Sequence, residues 1–361
     1  MRESKPVYLS LYETLREEIL SGERPAGSRL PSRRALAQDR HISPVTVDHS
    51  YELLCEEGYA EARPKSGYYV IYRGEDSFSR PLPPLPVRNL PAGAEPAASS
   101  DTPVFPFPTL ARVMRRVLAD YGDLLLAKPP NTGCLELREA LARYLSLNRG
   151  IHVTPDQIVI GSGAEHLYGL LVDLLGASRV WGIESPSYPK IEQVYRCRGV
   201  QVDFCPLGPD GIRSEALRAT SASVLHITPF RSFPSGVTAS ASKRGEYLRW
   251  AESGDRYLVE DDYESEFSLL RKPEETLFAG TEKQNVIYLN TFTRTVSPAF
   301  RVGYMVLPPR LLPVFHLKLG FCSCTVPAFE QYVLAALIAG GDFERHINRV
   351  RRQRRRKAGS V

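Results

Sequence analysis

Apolar positions recur at helical spacing through the first sixty residues and then change period. Leu11, Leu15 and Ile19 fall on one face of a first helix. Its start is read at Ser10-Leu-Tyr-Glu13, a spacing that predicts a capping box in which Ser10 and Glu13 satisfy each other's amides. A second helix is expected after Leu30-Pro31, with Ser32 as N-cap and Leu36 facing inward. A short turn through His41 and Ile42 then reaches Ser43-Pro44, serine as N-cap with proline at the first helical position. The third helix buries Val47, Tyr51 and Leu54 and leaves Val45, His49 and its N-terminal edge free. From Gly58 to Val70 the pattern reads strand, basic turn, strand. Two helices joined by a tight turn, the second with an open N-terminus, suit a DNA major groove.

Residues 73–103 bury almost nothing. They are rich in proline, alanine and serine and read as an extended, semi-stiff linker. Residues 1–72 are therefore one expected domain and residues 104–361 another. In the second, strands are expected at Gln157 to Ile160, Val180 to Ile183, Val200 to Phe204, Val224 to Thr228, Tyr257 to Asp261, Val286 to Phe292 and Val302 to Val306. Helical stretches such as Ala164 to Leu175 and Lys243 to Ala251 separate them, so the fold class is α/β with a mostly parallel sheet. No internal repeat is visible.

Charge changes this picture little. The net charge of +5 hints at an anionic partner, but much of the excess lies between Arg349 and Lys357, which reads as a solvated helix face. The six cysteines are scattered without a CxxC pair, as expected for free thiols in a reducing cytoplasm and not for a metal site. No apolar run reaches the roughly 20 residues of a membrane helix, so no membrane role is expected.

The first domain resembles the GntR family of winged helix-turn-helix regulators. The residues that carry the likeness are Leu30-Pro31-Ser32-x-Arg34, Ser43-x-x-Thr46-Val47, the Tyr51 to Gly58 stretch and the Arg63-to-Val70 wing. The resemblance implies that double-stranded DNA is the partner and that Ser32, Arg34, Ser43, Thr46 and the wing tip Lys65-Ser66-Gly67 face it. Arg34 and Lys65 would meet phosphates or base edges, and the hydroxyls would fix register. Pro44 stands where the family usually has an arginine.

The second domain resembles fold type I aminotransferases, and the whole chain the MocR branch of GntR regulators. The motifs are Gly133-x-x-x-Leu137-Arg138-x-x-Leu141, Ser162-Gly163-Ala164, Glu184-x-Pro186-x-Tyr188-Pro189, Thr228-Pro229 with Pro234-x-Gly236, and Glu260-Asp261-Asp262-Tyr263-x-x-Glu266-Phe267. Ser162, Gly163 and Ala164 follow a strand and open a helix, a setting whose amides and dipole hold a cofactor phosphate. The resemblance places Asp261 against the pyridine nitrogen of pyridoxal 5'-phosphate, Tyr263 near its phenolic oxygen, Tyr188 on its ring and Arg301 on its phosphate.

The likeness breaks at one position. The family's run of threonine, phenylalanine, serine and Schiff-base lysine reads here Thr291-Phe292-Thr293-Arg294. A guanidinium does not form an imine, so no residue is assigned a catalytic role and any pyridoxal phosphate is expected to be held non-covalently only. Arg294 is instead expected at the pocket floor as an anchor for a phosphate or carboxylate. The family's C-terminal small subdomain, with its substrate-carboxylate arginine, is expected to be missing, leaving an apolar face around Leu334 to Ile338 uncovered. The leading reading is a homodimeric, cytoplasmic transcription regulator whose aminotransferase-like domain dimerises and senses a small-molecule effector. The alternative is a pyridoxal-phosphate aminotransferase that uses another lysine.

Overall fold

A computed structural model of the chain describes residues 6–64, 66–73, 105–269, 274–281 and 285–358. Lys65 and almost all of the expected linker lie outside the described residues. The chain divides into two compact units, Met1–Ala94 and Glu95–Val361, with the division inside the stretch read as linker.

In the first unit, helices α1 (Val7–Leu20), α2 (Arg33–Asp39) and α3 (Pro44–Glu56) precede a hairpin of β1 (Ala60–Arg63) and β2 (Gly67–Val70). The hairpin is antiparallel, with Ala60 opposite Val70 and Arg63 opposite Gly67. Gly67 takes φ +111°, a backbone that a side chain resists, where the turn re-enters the strand. Leu15, Val47, Tyr51 and Leu54 are fully buried and join the three helices into one core. Each such side chain contributes roughly 1.5–3 kcal/mol on burial. The expected capping box at Ser10 and Glu13 does not form. Helix α1 already starts at Val7, with Pro6 as N-cap accepting from Leu9 and Ser10 amides, so Ser10 lies inside the first turn. Proline's fixed φ suits that boundary.

The second unit is an eight-stranded sheet between two helical layers. Its strands are β3 (Ile158–Gly161), β4 (Val180–Ser185), β5 (Gln201–Gly208), β6 (Gly211–Ile212), β7 (Val224–Ile227), β8 (Tyr257–Asp261), β9 (Val286–Thr291) and β10 (Gly303–Val306), in the order β3-β10-β9-β8-β7-β4-β5-β6. Neighbours from β9 to β5 run parallel, while β10 is antiparallel to both β9 and β3. All seven expected strands are present; the two-residue β6 was not foreseen.

The sheet shows period two on both faces. Ile158, Ile160, Tyr288, Tyr304 and Val306 point into one apolar cluster, and Val159, Ile287, Leu289 and Met305 into another. The first cluster packs against α4 (Phe107–Tyr121), α5 (Leu135–Arg149), α11 (Ala328–Ala339) and α12 (Asp342–Ala358). The second is covered by α6 (Ala164–Leu175), α7 (Pro189–Cys197) and α10 (Leu312–Leu319). Short α8 (Ser214–Ala219) and α9 (Ala241–Glu252) complete the layers. Coverage on both faces explains why the central strands are apolar without alternation.

The apolar face around Leu334 to Ile338 is not bare. Leu334 and Leu337 are fully buried, because α4, α5 and α12 close over α11. Helix α12 is likewise only partly a solvated face. Arg351 donates to the Glu266 carbonyl at 2.6 Å, Arg354 to the Glu264 carboxylate at 3.1 Å and Arg355 to the Leu269 carbonyl at 3.2 Å.

Candidate functional site

Two surfaces carry chemistry, one in each unit. In the first, both expected N-caps form: Ser32 Oγ accepts from the Ala35 amide at 3.2 Å and Ser43 Oγ from the Thr46 amide at 3.1 Å. The Ser43 and Thr46 hydroxyls also share a hydrogen bond of 2.9 Å. These side chains therefore order the starts of α2 and α3 while remaining at the surface. Arg33 is committed to Asp48, with both carboxylate oxygens 2.7 Å away. Arg34, beside it, is exposed and has no carboxylate partner among the described residues. In the wing, Ser66 Oγ bonds the Tyr69 hydroxyl at 2.8 Å, and Arg63 lies over the Tyr69 ring.

In the second unit a cavity of about 190 Å³ opens at the C-terminal ends of the parallel strands, where open α/β sheets bind ligands. Ala164, Glu165 and Tyr168 reach it from the start of α6, and Tyr188 from the loop after β4. Thr228 follows β7, Asp261 ends β8 and Thr291 ends β9; Phe233, Tyr263, Thr293 and Arg301 complete the wall. The aromatic side is formed by Tyr188, set edge-on to Phe233, together with Tyr263. Asp261 is buried and accepts from the Tyr168 hydroxyl, and its Oδ2 is 3.4 Å from His226 Nε2. His226 Nδ1 in turn meets the Tyr195 hydroxyl. Burial, then the Asp261 charge, pushes the Tyr168 phenol up, so it stays a donor to that carboxylate. Behind the wall, Glu184 accepts from Ser232 Oγ, and burial pushes its carboxyl up to about 8.

The cations around this cavity each face an acid. Glu165, in the first turn of α6, pairs through one oxygen with Lys190 and through the other with Arg301 at 3.3 Å. The Lys190 hydrogen bond holds the Glu165 carboxyl below its usual range despite partial burial. Glu264 gathers three arginines: Arg294 at 2.9 Å, Arg354 at 3.1 Å and Arg231 at 3.7 Å. Burial works against its ionisation, but the bonds from Arg294 and Arg354 outweigh that and lower its pKa.

The expected site residues thus divide. Ala164, Tyr188, Asp261, Tyr263, Thr291 and Arg301 line one cavity. Ser162 and Gly163 form the turn leading into it, with Gly163 at φ +87° and Ser162 Oγ bonded to Thr325. Arg294 departs from expectation: it does not line the cavity but lies against Glu264 with its guanidinium over the Tyr263 ring. The physical reason is that a buried carboxylate is within reach and offers a charge-assisted bond. Sequence reading missed Glu264, Tyr168, His226 and Lys190. Tyr168 carried a signal, since it lies one helical turn after Ala164 and shares its face.

Pyridoxal phosphate does not fit these residues as it does in its enzymes. Among the described residues no lysine lines the cavity, so none of them offers an amine there to hold the aldehyde. At the other end Glu165, in the first turn of α6, lines the cavity, and its two oxygens already use Arg301 and Lys190, the cations a phosphate would call on.

Comparisons with known proteins agree with both halves of this description. Residues 7–70 match the family model of bacterial regulatory proteins, gntR family, and residues 98–358 that of aminotransferase class I and II. The chain is similar to the HTH-type transcriptional regulator YdeL of Bacillus subtilis, 30% identical over 99% of this chain and 78% of that protein. It is 29% identical to the probable rhizopine catabolism regulatory protein MocR of Rhizobium meliloti, covering 96% of this chain and 74% of that one. Identity is also 29% to the pyridoxine biosynthesis transcriptional regulator PdxR of Corynebacterium glutamicum, over 97% of this chain and 77% of that protein. Among solved structures, a kynurenine aminotransferase of Pyrococcus horikoshii in complex with PMP superposes with a TM-score of 0.63 at 27% identity. That match covers 70% of this chain and 65% of the enzyme's, so just under two thirds of the enzyme's length is represented.

Proposed function

Because the chain belongs to the HTH-type transcriptional regulators of the MocR and PdxR kind, with a gntR-family domain ahead of an aminotransferase class I and II domain, we propose that it regulates transcription without transaminating. The observation that carries this reading is Arg294. It stands at the lysine position of the resemblance and its guanidinium is tied to Glu264, while among the described residues no lysine lines the cavity. Without an amine there is neither a covalent hold on an aldehyde nor the usual base for an α-proton.

In this reading Arg34 and the wing tip Lys65-Ser66-Gly67 meet the DNA, Ser32, Ser43 and Thr46 set the register of the two helix starts, and the protein works in the cytoplasm. The larger domain pairs with a second copy, so that two readers address two half-sites. Large apolar side chains exposed at Leu124, Leu126, Leu317 and Phe321 are of the kind a second copy covers. The cavity, retained although the amine is gone, serves as the effector site and holds its ligand non-covalently.

The test is keto-acid formation from a panel of amino acids with added pyridoxal phosphate. No turnover above the cofactor alone is expected. Turnover that disappears in Lys190→Ala would replace this reading with an aminotransferase using another lysine.

A further inference from the structure

The cavity has one charged end and one aromatic end, and the charged end is already neutralised from within. Glu165 puts one carboxylate oxygen on Lys190 and the other on Arg301. Arg301 also lies against the Gly163 turn, its guanidinium only 3.1 Å from where a β-carbon on that glycine would stand. Both nearby cations thus face an acid belonging to the chain itself. A dianionic phosphate entering here meets a like charge in its first shell of contacts and has to displace Glu165 from both partners.

The aromatic end keeps its recognition chemistry. Asp261 is held in place by Tyr168 beside His226, and it faces a space walled by Tyr188, Phe233 and Tyr263. Thr228, Thr291 and Thr293 line the same space. A buried carboxylate opposite aromatic walls suits a flat ring with a protonated nitrogen, and hydroxyls around it suit small polar substituents.

We propose that Glu165 is a specificity-determining residue that makes this cavity select an unphosphorylated, planar nitrogen heteroaromatic and reject its phosphate ester. The proposal rests on the reading of the cavity as an effector site. It departs from that reading's parent family in what the site accepts: a pyridine-sized ring, not a pyridine carrying phosphate.

The experiment is equilibrium titration calorimetry of the full chain with pyridoxine and with pyridoxine 5'-phosphate, a matched pair without an aldehyde. One like charge at contact distance, screened by solvent nearly as in bulk water at this exposed end, predicts a preference of about tenfold for pyridoxine. In Glu165→Gln, which keeps the side-chain shape, the preference is expected to vanish or reverse, with the melting temperature checked to exclude unfolding. Asp261→Asn is expected to weaken both ligands equally. A phosphate ester bound as tightly as pyridoxine by the unaltered chain overturns the proposal while leaving the effector-site reading in place. So does a Glu165→Gln variant in which both affinities move together. Binding of neither compound overturns the proposal and the effector-site reading together.

Discussion

Arg34 in the first domain and the cations around the cavity in the second meet opposite fates. On the helix-turn-helix surface Arg34 is exposed with no carboxylate partner among the described residues, next to helix starts that are capped and exposed. Around the cavity Arg294, Arg301 and Lys190 each lie on an acid, Glu264 or Glu165. An open cation awaits an external polyanion; a cation closed by an internal carboxylate does not. In the proposed reading the same residue types therefore serve DNA on one surface and exclude a strong anion on the other.

The largest expected effect concerns buried acids in the second domain that lack such closure. Glu184 is raised to about 8, and Glu260 and Glu266 to about 7 each, in every case chiefly by burial. A carboxyl raised in the folded state binds a proton that the unfolded chain releases, so its stabilising contribution is full below the unfolded value of 4.5 and is lost as pH rises toward 8. Urea melts of the full chain are expected to show the second domain's stability falling between these limits, with a shallower fall in Glu184→Gln. An unchanged slope in that variant would mean Glu184 is ionised in the fold.

Next comes closure itself. Glu264→Ala removes the carboxylate that Arg294 and Arg354 share and is expected to cost about 3 kcal/mol, read as a lowered urea midpoint. A loss below roughly 0.5 kcal/mol would place those arginines among ordinary surface pairs. On the open side, Arg34→Ala is expected to weaken binding to a duplex selected on the unaltered protein by about 1–3 kcal/mol, with a flatter salt dependence. Equal binding would show that the reader's affinity comes from elsewhere. The smallest effect is Ser43→Ala, which removes the α3 cap and is expected to lower the reader's stability by about 1 kcal/mol, detectable by thermal melting.

What could be read from the chain alone follows the same division. The reader was legible because its determinants are local: Ser32 and Ser43 cap helices three residues on, and Val47, Tyr51 and Leu54 bury one helical face. The strands of the second domain were equally plain, since fully buried parallel strands are unbroken apolar runs, and β8 falls on the residues expected. The start of α1 was misplaced because a proline N-cap at Pro6 competes with the Ser10–Glu13 spacing, and no local pattern ranks the two. Most of the cavity wall was foreseen through its motifs. What sequence did not reveal were ion pairs between distant segments. Arg294 and Glu264 are 30 residues apart, and Arg301 and Glu165 are 136 apart; only the packed sheet brings them together. Hence Arg294 was expected on the cavity floor, whereas its guanidinium is paired with Glu264 and lies over the ring of the wall residue Tyr263.

The central claim is that this aminotransferase-like domain has lost its amine chemistry, and borohydride trapping tests it most directly. The full chain is incubated with pyridoxal phosphate, reduced, dialysed and digested, and modified peptides are mapped by mass spectrometry against a sample without reductant. The account predicts that no peptide lining the cavity carries the reduced pyridoxyl group, any modification being confined to exposed lysines such as Lys128 and removed by competing free amine. A stoichiometric adduct on Lys190, or on another lysine brought to the cavity, would contradict it.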